Sequence, residues 1–578
     1  MKLDLAHLSE ADNILLNQVA EEIRKPYNEL VTRLSEAHRS NIDWIVGSIA
    51  SRSIFLSPLV WHCYHLGFLR RRLEQGGIAE IIVHDKTLAG VVKAFVRGAY
   101  PGIRVTCAQS TKQRVKAAIK PFYQFTLAAR LFGIYTAARR TPPAGPLPLH
   151  EPVTLVDTFV LENSFANGDY NDRYYPGMRD ALDDRERDNL YYVPTFIGIS
   201  GRFGDVIKKI RVSSFRFLLK EDVLEPADYR FAFAHFLRMR ALRRFENIDF
   251  LGFDVAPLVN RELASTAWDP SSVLALLIYR FVRRLKERGV QLRYVVDWFE
   301  NQVIDRAFHR GLREFYPEVP TTGYAGYIVS PVYNFYMHPT DFEHTSGIVP
   351  KELSVIGTGH VESVREFCSS LNVGVAPAFR FNGVWREKQF HPDESEHSVL
   401  IALPITLKDS MEILQAVMPF CERSGNGVRF RVKAHPSVSK EAIEQRLGAA
   451  LPAAMEFVEG DFNTWVERSH VLVGNSSSTC VEALAKGIPV VIIGSRSGIT
   501  QNPVPDNIAE DIWSLCYTSE EVARALERYL ERDEQTRRRH EDVGKRIRAE
   551  YFEPVTRESS RRFLKIEETG DRRPETGG

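Results

Sequence analysis

Over residues 1–40 the apolar positions Leu15, Val19, Ile23, Leu30 and Leu34 recur at helical spacing between charged residues, which predicts helix. After Asp43 the pattern changes to short apolar runs, Trp44–Val46, Ile81–Val83 and Ile103–Val105, bounded by Gly, Pro, His or Asp. Such runs predict buried strands. Further strands are expected at Val153–Phe159, Tyr191–Ile199, Leu292–Trp298, Tyr324–Val329 and Leu353–Ile356, with helical stretches between them. Short apolar strands alternating with helices predict an α/β fold whose parallel sheet is covered on both faces.

Residues 380–398 are polar, include Pro392 and read as a crossover linker. A second series then begins, with strands expected at Val399–Leu403, Val428–Lys433, Met455–Val458, Val471–Val473 and Val490–Ile493. Helices are expected between them, and charged helix over residues 519–565. The division is therefore two Rossmann-like domains of unequal size: 1–385 with helical and basic insertions, and 386–565. Residues 566–578 form a tail that composition predicts to be disordered.

Composition narrows the function. Lys and Arg number 75 against 74 Asp and Glu in 578 residues, a net charge of +1 that argues against a bulk polyanion binder. The six cysteines are scattered, without a CxxC pair, which argues against a disulfide framework and for a reducing compartment. The polar, acid-containing start does not read as a signal peptide, and no apolar run approaches the roughly 20 residues that span a bilayer. A cytoplasmic location is expected. One segment departs from the average: residues 112–140 hold Lys112, Arg114, Lys116, Lys120, Arg130, Arg139 and Arg140 and no acid, interleaved with Phe122, Tyr123, Phe125, Phe132 and Tyr135. It is expected to touch an anionic inner-membrane surface, with a solvated helix pair as the plain alternative. The neutral total charge and missing motifs argue against nucleic acid.

The candidate chemistry begins at Val471–Leu484, where an apolar strand ends in Gly474-Asn475-Ser476-Ser477-Ser478 and a helix follows. Hydroxyls and unpaired N–H groups at such a turn suit a phosphate, although Ser and Thr also cap ordinary helices. Upstream, the strand Arg429–Lys433 runs into Ala434-His435-Pro436. The proline keeps His435 extended at the strand mouth, where open α/β sheets bind ligands.

Lys-x-His-Pro after one strand, then Gly-Asn-Ser-Ser-Ser with Glu482-Ala483 and Gly487-Ile488-Pro489-Val490-Val491, resembles the carboxyl-terminal half of GT-B glycosyltransferases over residues 398–560. The likeness is greatest to those using CMP-activated sugars: bacterial sialyltransferases and the Kdo transferases of capsule and O-antigen lipopolysaccharide. The resemblance implies two Rossmann-like domains facing across a cleft. It implies that His435, Ser476 and Ser477 hold the nucleotide phosphate, with Lys433 and Ser478 beside them and Glu482 towards the ribose. It also implies a donor that needs no metal, a glycan or lipid-linked acceptor, and no permanently bound cofactor.

The amino-terminal half is similar to surface-carbohydrate biosynthesis proteins at Trp298-Phe299-Glu300-Asn301-Gln302 and around Pro350 and Ile356-Gly357. Reading Tyr294–Trp298 as strand and Gln302–Phe315 as helix puts Glu300 at the turn between them. There it could serve as base in an inverting transfer or as nucleophile in a retaining one. It could also be an ordinary helix-capping acid contributing about 0.3–1 kcal/mol. Retaining enzymes of the resembled family use an Asp as nucleophile, where this sequence offers Glu300. Asp297 and Asp305 are competitors, as is Glu162, the acid nearest the end of strand Val153–Phe159. The Asn/Asp/Gly-rich run that follows, Leu161–Tyr175, reads as a turn or as an acceptor loop whose tyrosines stack on sugars. His338, Glu343 and His344 look metal-like, but they lack the HExxH spacing and Pro339 interrupts any helix that would align them. A nucleotide-sugar epimerase and a non-catalytic scaffold in a polysaccharide complex are the competing readings.

Overall fold

In the computed structural model, residues 1–109, 119, 122–143, 145, 147–149, 151–199, 203–329, 337–392, 396–424, 427–448, 451–508 and 511–566 are described. The front of the basic segment (112–118, 120 and 121) and the tail from 567 onwards lie outside them. The amino-terminal strands are β1 (Lys2–Asp4), β2 (Glu80–Val83) and β3 (Arg104–Cys107). Then come β4 (Val153–Val160), β5 (Leu190–Phe196), β6 (Arg216–Phe217) and a small hairpin of β7 (Asp249–Phe250) and β8 (Phe253–Asp254). β9 (Leu292–Trp298), β10 (Thr321–Ala325), β11 (Glu352–Val355) and β12 (Asn372–Val375) follow. The last series is β13 (His397–Ala402), β14 (Val428–Lys433), β15 (Met455–Phe457), β16 (Val471–Gly474), β17 (Val490–Ile493) and β18 (Trp513–Cys516).

These strands build three parallel sheets: β1-β2-β3, then β12-β11-β10-β9-β4-β5-β6, then β15-β14-β13-β16-β17-β18. The second and third share one winding. In each, the first strand of the series lies at the centre beside the fourth, β4 against β9 and β13 against β16. The chain reverses its direction of winding there, which opens a crevice at the carboxyl ends of those strands. The expected fold class, α/β with two Rossmann-like units, is the observed one. The central strands read as near-continuous apolar runs because helices cover both faces: in β4 every residue but Phe159 is buried.

One expected strand is a helix. Trp44–Val46 lies at the end of the short helix Ile42–Ile45, which Asn41 caps by accepting from the backbone N–H of Asp43 at 3.0 Å. Trp44 stacks on His38 and its Nε1–H donates to Ser35 Oγ. A three-residue apolar run has no period of its own, and buried packing decided its state. Glu80–Val83 pairs on one side with Arg104–Cys107 and on the other with Lys2–Asp4, inside the stretch read as helix, with Leu3 opposite Ile81.

Two devices join the large units. A single hydrophobic core takes in Val156, Val296, Trp298 and Tyr324 from one and Leu400, Leu472, Val481 and Val490 from the other. The helices Glu534–Tyr551 and Arg557–Phe563 leave the third sheet and return to the second, where Glu553 exchanges backbone hydrogen bonds with Ile356 and Ala378. Gly357 lies at that junction. A Cβ there would come within 2.4 Å of the Tyr551 carbonyl carbon, so the close approach requires glycine.

Candidate functional site

At the crevice between β13 and β16 lies a cavity of about 350 Å³, within the range of small-ligand sites. One side is Pro404, Ile405, His435, Ser476, Ser477, Ser478 and Pro503, from the ends of the third sheet. The other is Tyr327 and Ile328, which follow β10, with Arg380 and Phe381 after β12. The cavity therefore belongs to both units. Of the residues expected at a nucleotide, His435 and Ser476–Ser478 line it together. Lys433 does not: its Nζ donates to the carbonyl of Gly460 at 2.7 Å.

The donors in the cavity are set by their neighbours. The backbone N–H of Ser437 donates to Nδ1 of His435 at 3.1 Å, and burial pushes the ring's pKa down. A neutral imidazole accepting at Nδ1 carries its proton on Nε2, which makes that nitrogen a donor without a charge on the ring. Ser477 Oγ accepts from the N–H and the hydroxyl of Thr479 (3.3 and 2.8 Å), and its own O–H remains a donor. Ser478 occupies the cap position of helix Thr479–Ala485 yet its side chain makes no capping bond.

Arg380 is the residue that sequence reading missed, since it falls at the start of the supposed linker. It is exposed to the cleft, in a seven-residue 3₁₀ helix, Phe379–Trp385, where a loop was expected. Its charge bears on Glu300, Glu482 and Tyr174 at once. Glu482, on helix Thr479–Ala485, is pushed up to about 7 by burial, against the pull of Arg380 and Lys486. At neutral pH it is divided between acid and carboxylate.

Glu300 stands on the turn between β9 and helix Val303–Phe315, at the crevice of the second sheet. Burial pushes its pKa up; the Trp298 hydrogen bond and Arg380 oppose, and Asp297 adds to the rise. The turn is held open by Asn301, whose φ of +55° is left-handed, a conformation asparagine tolerates better than most residues. Asn301 is locked there: its amide donates to Met337 O (2.9 Å) and Glu343 (3.2 Å), and its carbonyl oxygen accepts from Arg306 (3.1 Å). Asp305 reaches back to accept from the N–H groups of Glu300 and Gln302, both at 2.9 Å, and so serves as the helix cap.

Asp297 is buried beneath the turn, and His309 donates from Nε2 to its Oδ2 at 2.8 Å. Val156 and Val296 are matched in the register of β4 and β9, so the next pair across the strands is Asp157 and Asp297. Burial first, then the neighbouring Asp297, drives the pKa of Asp157 well above the carboxylate range. Neither Asp157 nor His309 was singled out from sequence. Glu162 lies exposed in a single turn of helix beyond β4 and does not line the cavity. In the run after it, Asp172 accepts from the N–H groups of Tyr174 and Tyr175, as a turn does, while Tyr174 packs edge-on against Trp298 (4.7 Å) beside Glu300.

The metal-like group resolves into an ion-pair network. Glu343 accepts from Arg52 (2.7 and 2.9 Å) and from Arg306 (2.6 Å), all three buried. His344 faces Ser370. Among the described residues, ligating side chains come close enough to share an ion at Asp4, His7 and His84, on the small amino-terminal sheet rather than in the cavity. A wider groove of about 720 Å³ between helix Glu10–Ser35 and residues 340–342 and 366–369 is lined by both signs of charge and gathers none of the residues above.

Comparison with protein-family models and with curated proteins finds no match. Solved structures resembling the chain include the trehalose-6-phosphate phosphatase amino-terminal domain of Candida albicans, at 9% identity over 73% of this chain and 97% of that one, with a TM-score of 0.41. The UDP-GlcNAc 2-epimerase of Neisseria meningitidis bound to UDP-GlcNAc matches at 9% identity over 72% and 99%, TM-score 0.39. CalG4, the calicheamicin glycosyltransferase, matches at 13% identity over 69% and 94%, TM-score 0.37. Likenesses this distant do not choose among chemistries. The geometry of the cavity has to.

Proposed function

We propose that this protein is a glycosyltransferase of the GT-B kind that moves a CMP-activated, Kdo-like ulosonic acid onto a glycan or lipid-linked acceptor in surface-polysaccharide biosynthesis. The observation that carries this reading is the two-sided cavity: the donors of His435 and Ser477 face Arg380 of the opposite unit, with Glu300 at the neighbouring crevice. A CMP-ulosonate donor brings a phosphodiester and a carboxylate. A guanidinium with neutral N–H and O–H donors meets both without a metal ion.

In the reaction the bond between the anomeric carbon and the phosphate oxygen breaks, and CMP leaves with the electron pair. Arg380, His435 and Ser477 would stabilise that charge as it develops. Glu300, as carboxylate, either attacks the anomeric carbon to give a covalent intermediate, from which the acceptor oxygen then displaces it, or accepts the proton of the acceptor hydroxyl as that oxygen attacks the anomeric carbon and CMP leaves. The resemblance to Kdo transferases supports the first course; the substitution of Glu for Asp leaves the second open. Glu482, protonated in part at neutral pH, can donate to a ribose oxygen.

The test is calorimetric titration with CMP, UDP and GDP. CMP is expected to bind most tightly, and tighter binding of UDP or GDP overturns the donor assignment. Conversion of a nucleotide-sugar to its epimer with no acceptor present would identify an epimerase instead. Absence of nucleotide binding altogether would identify a scaffold.

A further inference from the structure

The helix Tyr123–Arg140 is apolar on two sides. Leu127, Leu131, Ile134 and Ala138 are buried and recur at spacings of three and four, forming the inward face. They join the core shared with Phe203, Ile207, Leu224 and Leu277. Arg130 and Arg139 fasten the helix, donating to the carbonyls of Phe196 (3.1 Å) and Leu224 (3.4 Å). At about 100° per residue, positions 122, 125 and 132 fall on one stripe opposite that face. Phe122 is 65% exposed, Phe125 74% and Phe132 69%. Ile197, next to the carbonyl that holds Arg130, is 43% exposed. Single exposed apolar residues are ordinary, but a row of three phenylalanines on one helix marks a contact surface.

The charge around the stripe selects the partner. Residues 122–140 contain no acid; Arg130, Arg139 and Arg140 are exposed, as are Lys208 and Lys209 on the adjoining helix Phe203–Val212, which also exposes one acid, Asp205. A second copy of the chain would set these cations against their own kind. An anionic lipid surface would not.

We propose that this face docks on an anionic bilayer, the phenylalanines entering the headgroup boundary while the Arg and Lys side chains lie over the lipid charge. The proposal stands apart from the donor assignment, and its assay contains no nucleotide. Full-length protein is sedimented with vesicles of phosphatidylcholine alone and of phosphatidylcholine mixed with phosphatidylglycerol. Binding to the mixed vesicles is expected to be at least about tenfold tighter and to weaken with salt. The Phe125→Ser/Phe132→Ser double variant is expected to lose about tenfold or more of that binding with its thermal unfolding unchanged. Equal binding to both vesicles, or wild-type binding by the double variant, overturns the proposal. So does a dimer in light scattering that the double variant abolishes, which would assign the face to a second copy.

Discussion

The indole Nε1–H of Trp298 donates to Oε1 of Glu300 at 2.9 Å, and the guanidinium of Arg380 lies 5.5 Å from the centre of that same ring. One buried tryptophan therefore orients the acid with its edge and receives the cation on its face. The ring can lie there because residue 326 is glycine: a Cβ at that position would fall 2.4 Å from the indole. Acid and cation come from different segments of the chain and meet on one rigid side chain at the cleft.

Glu300→Gln keeps the size of the side chain and its acceptor for Trp298 but removes the charge. Transfer is expected to fall by about 10²–10⁴-fold, the usual contribution of such a group, with CMP affinity unchanged by calorimetry. Turnover within about tenfold of wild type, roughly 1.4 kcal/mol in barrier, would move the role to Asp297, Asp305 or Glu162.

Arg380→Ala and His435→Ala each remove a donor from the cavity between the two units. The Arg380 change is expected to weaken CMP binding by about 1.5–3 kcal/mol, the range for a charged hydrogen bond, and the His435 change by about 1 kcal/mol. Arg380 faces the cleft and carries no ion pair among the described residues, and its contact with the Trp298 ring is worth about 0.5–1 kcal/mol at an exposed site, so its variant is expected to unfold within a few degrees of the wild type. A large loss of stability would mean that Arg380 supports the fold rather than the ligand.

Glu482 supplies a pH signature. Its pKa, raised from 4.5 to about 7, means that between those values the folded chain binds more protons than the unfolded one. Stability contributed by this site is full below pH 4.5 and falls as pH rises, levelling off above about 7. Glu482→Gln removes the titration. The stability of the variant relative to wild type is expected to rise across that window by about 3 kcal/mol in denaturant unfolding. A pH-independent difference would place the titration elsewhere.

Glu343→Gln leaves Arg52 and Arg306 buried with only a neutral amide between them. Breaking a buried pair in this way costs about 3–5 kcal/mol, and thermal unfolding is expected to shift down accordingly. Asn301 donates to that same carboxylate and would compete with the two arginines for the single amide oxygen left, so transfer is expected to fall with Glu300 itself intact. Unaltered activity in the folded variant would show that the turn holds without Glu343.

The amino-acid sequence alone determined the strand ends of the third sheet. Strand, Lys-Ala-His-Pro and strand, Gly-Asn-Ser-Ser-Ser are local patterns, so His435 and Ser476–Ser478 are legible in the sequence as strand-end residues, whereas their lining of one cavity is a tertiary fact. Glu300 was legible for the same reason, as an acid on a strand-to-helix turn. Trp44–Val46 misled because three apolar residues fit a strand and a buried helix equally well. Only the tertiary structure decided the rest. Asp157 meets Asp297 through the register of two strands far apart in the chain, and no periodicity encodes that pairing. Arg380 sits in a polar stretch that reads as a linker. It becomes part of the cavity because a shared core and the returning carboxyl-terminal helices press the two sheets together. Contacts between units depend on packing summed over the whole chain, whereas a strand end and its turn depend on a dozen neighbouring residues.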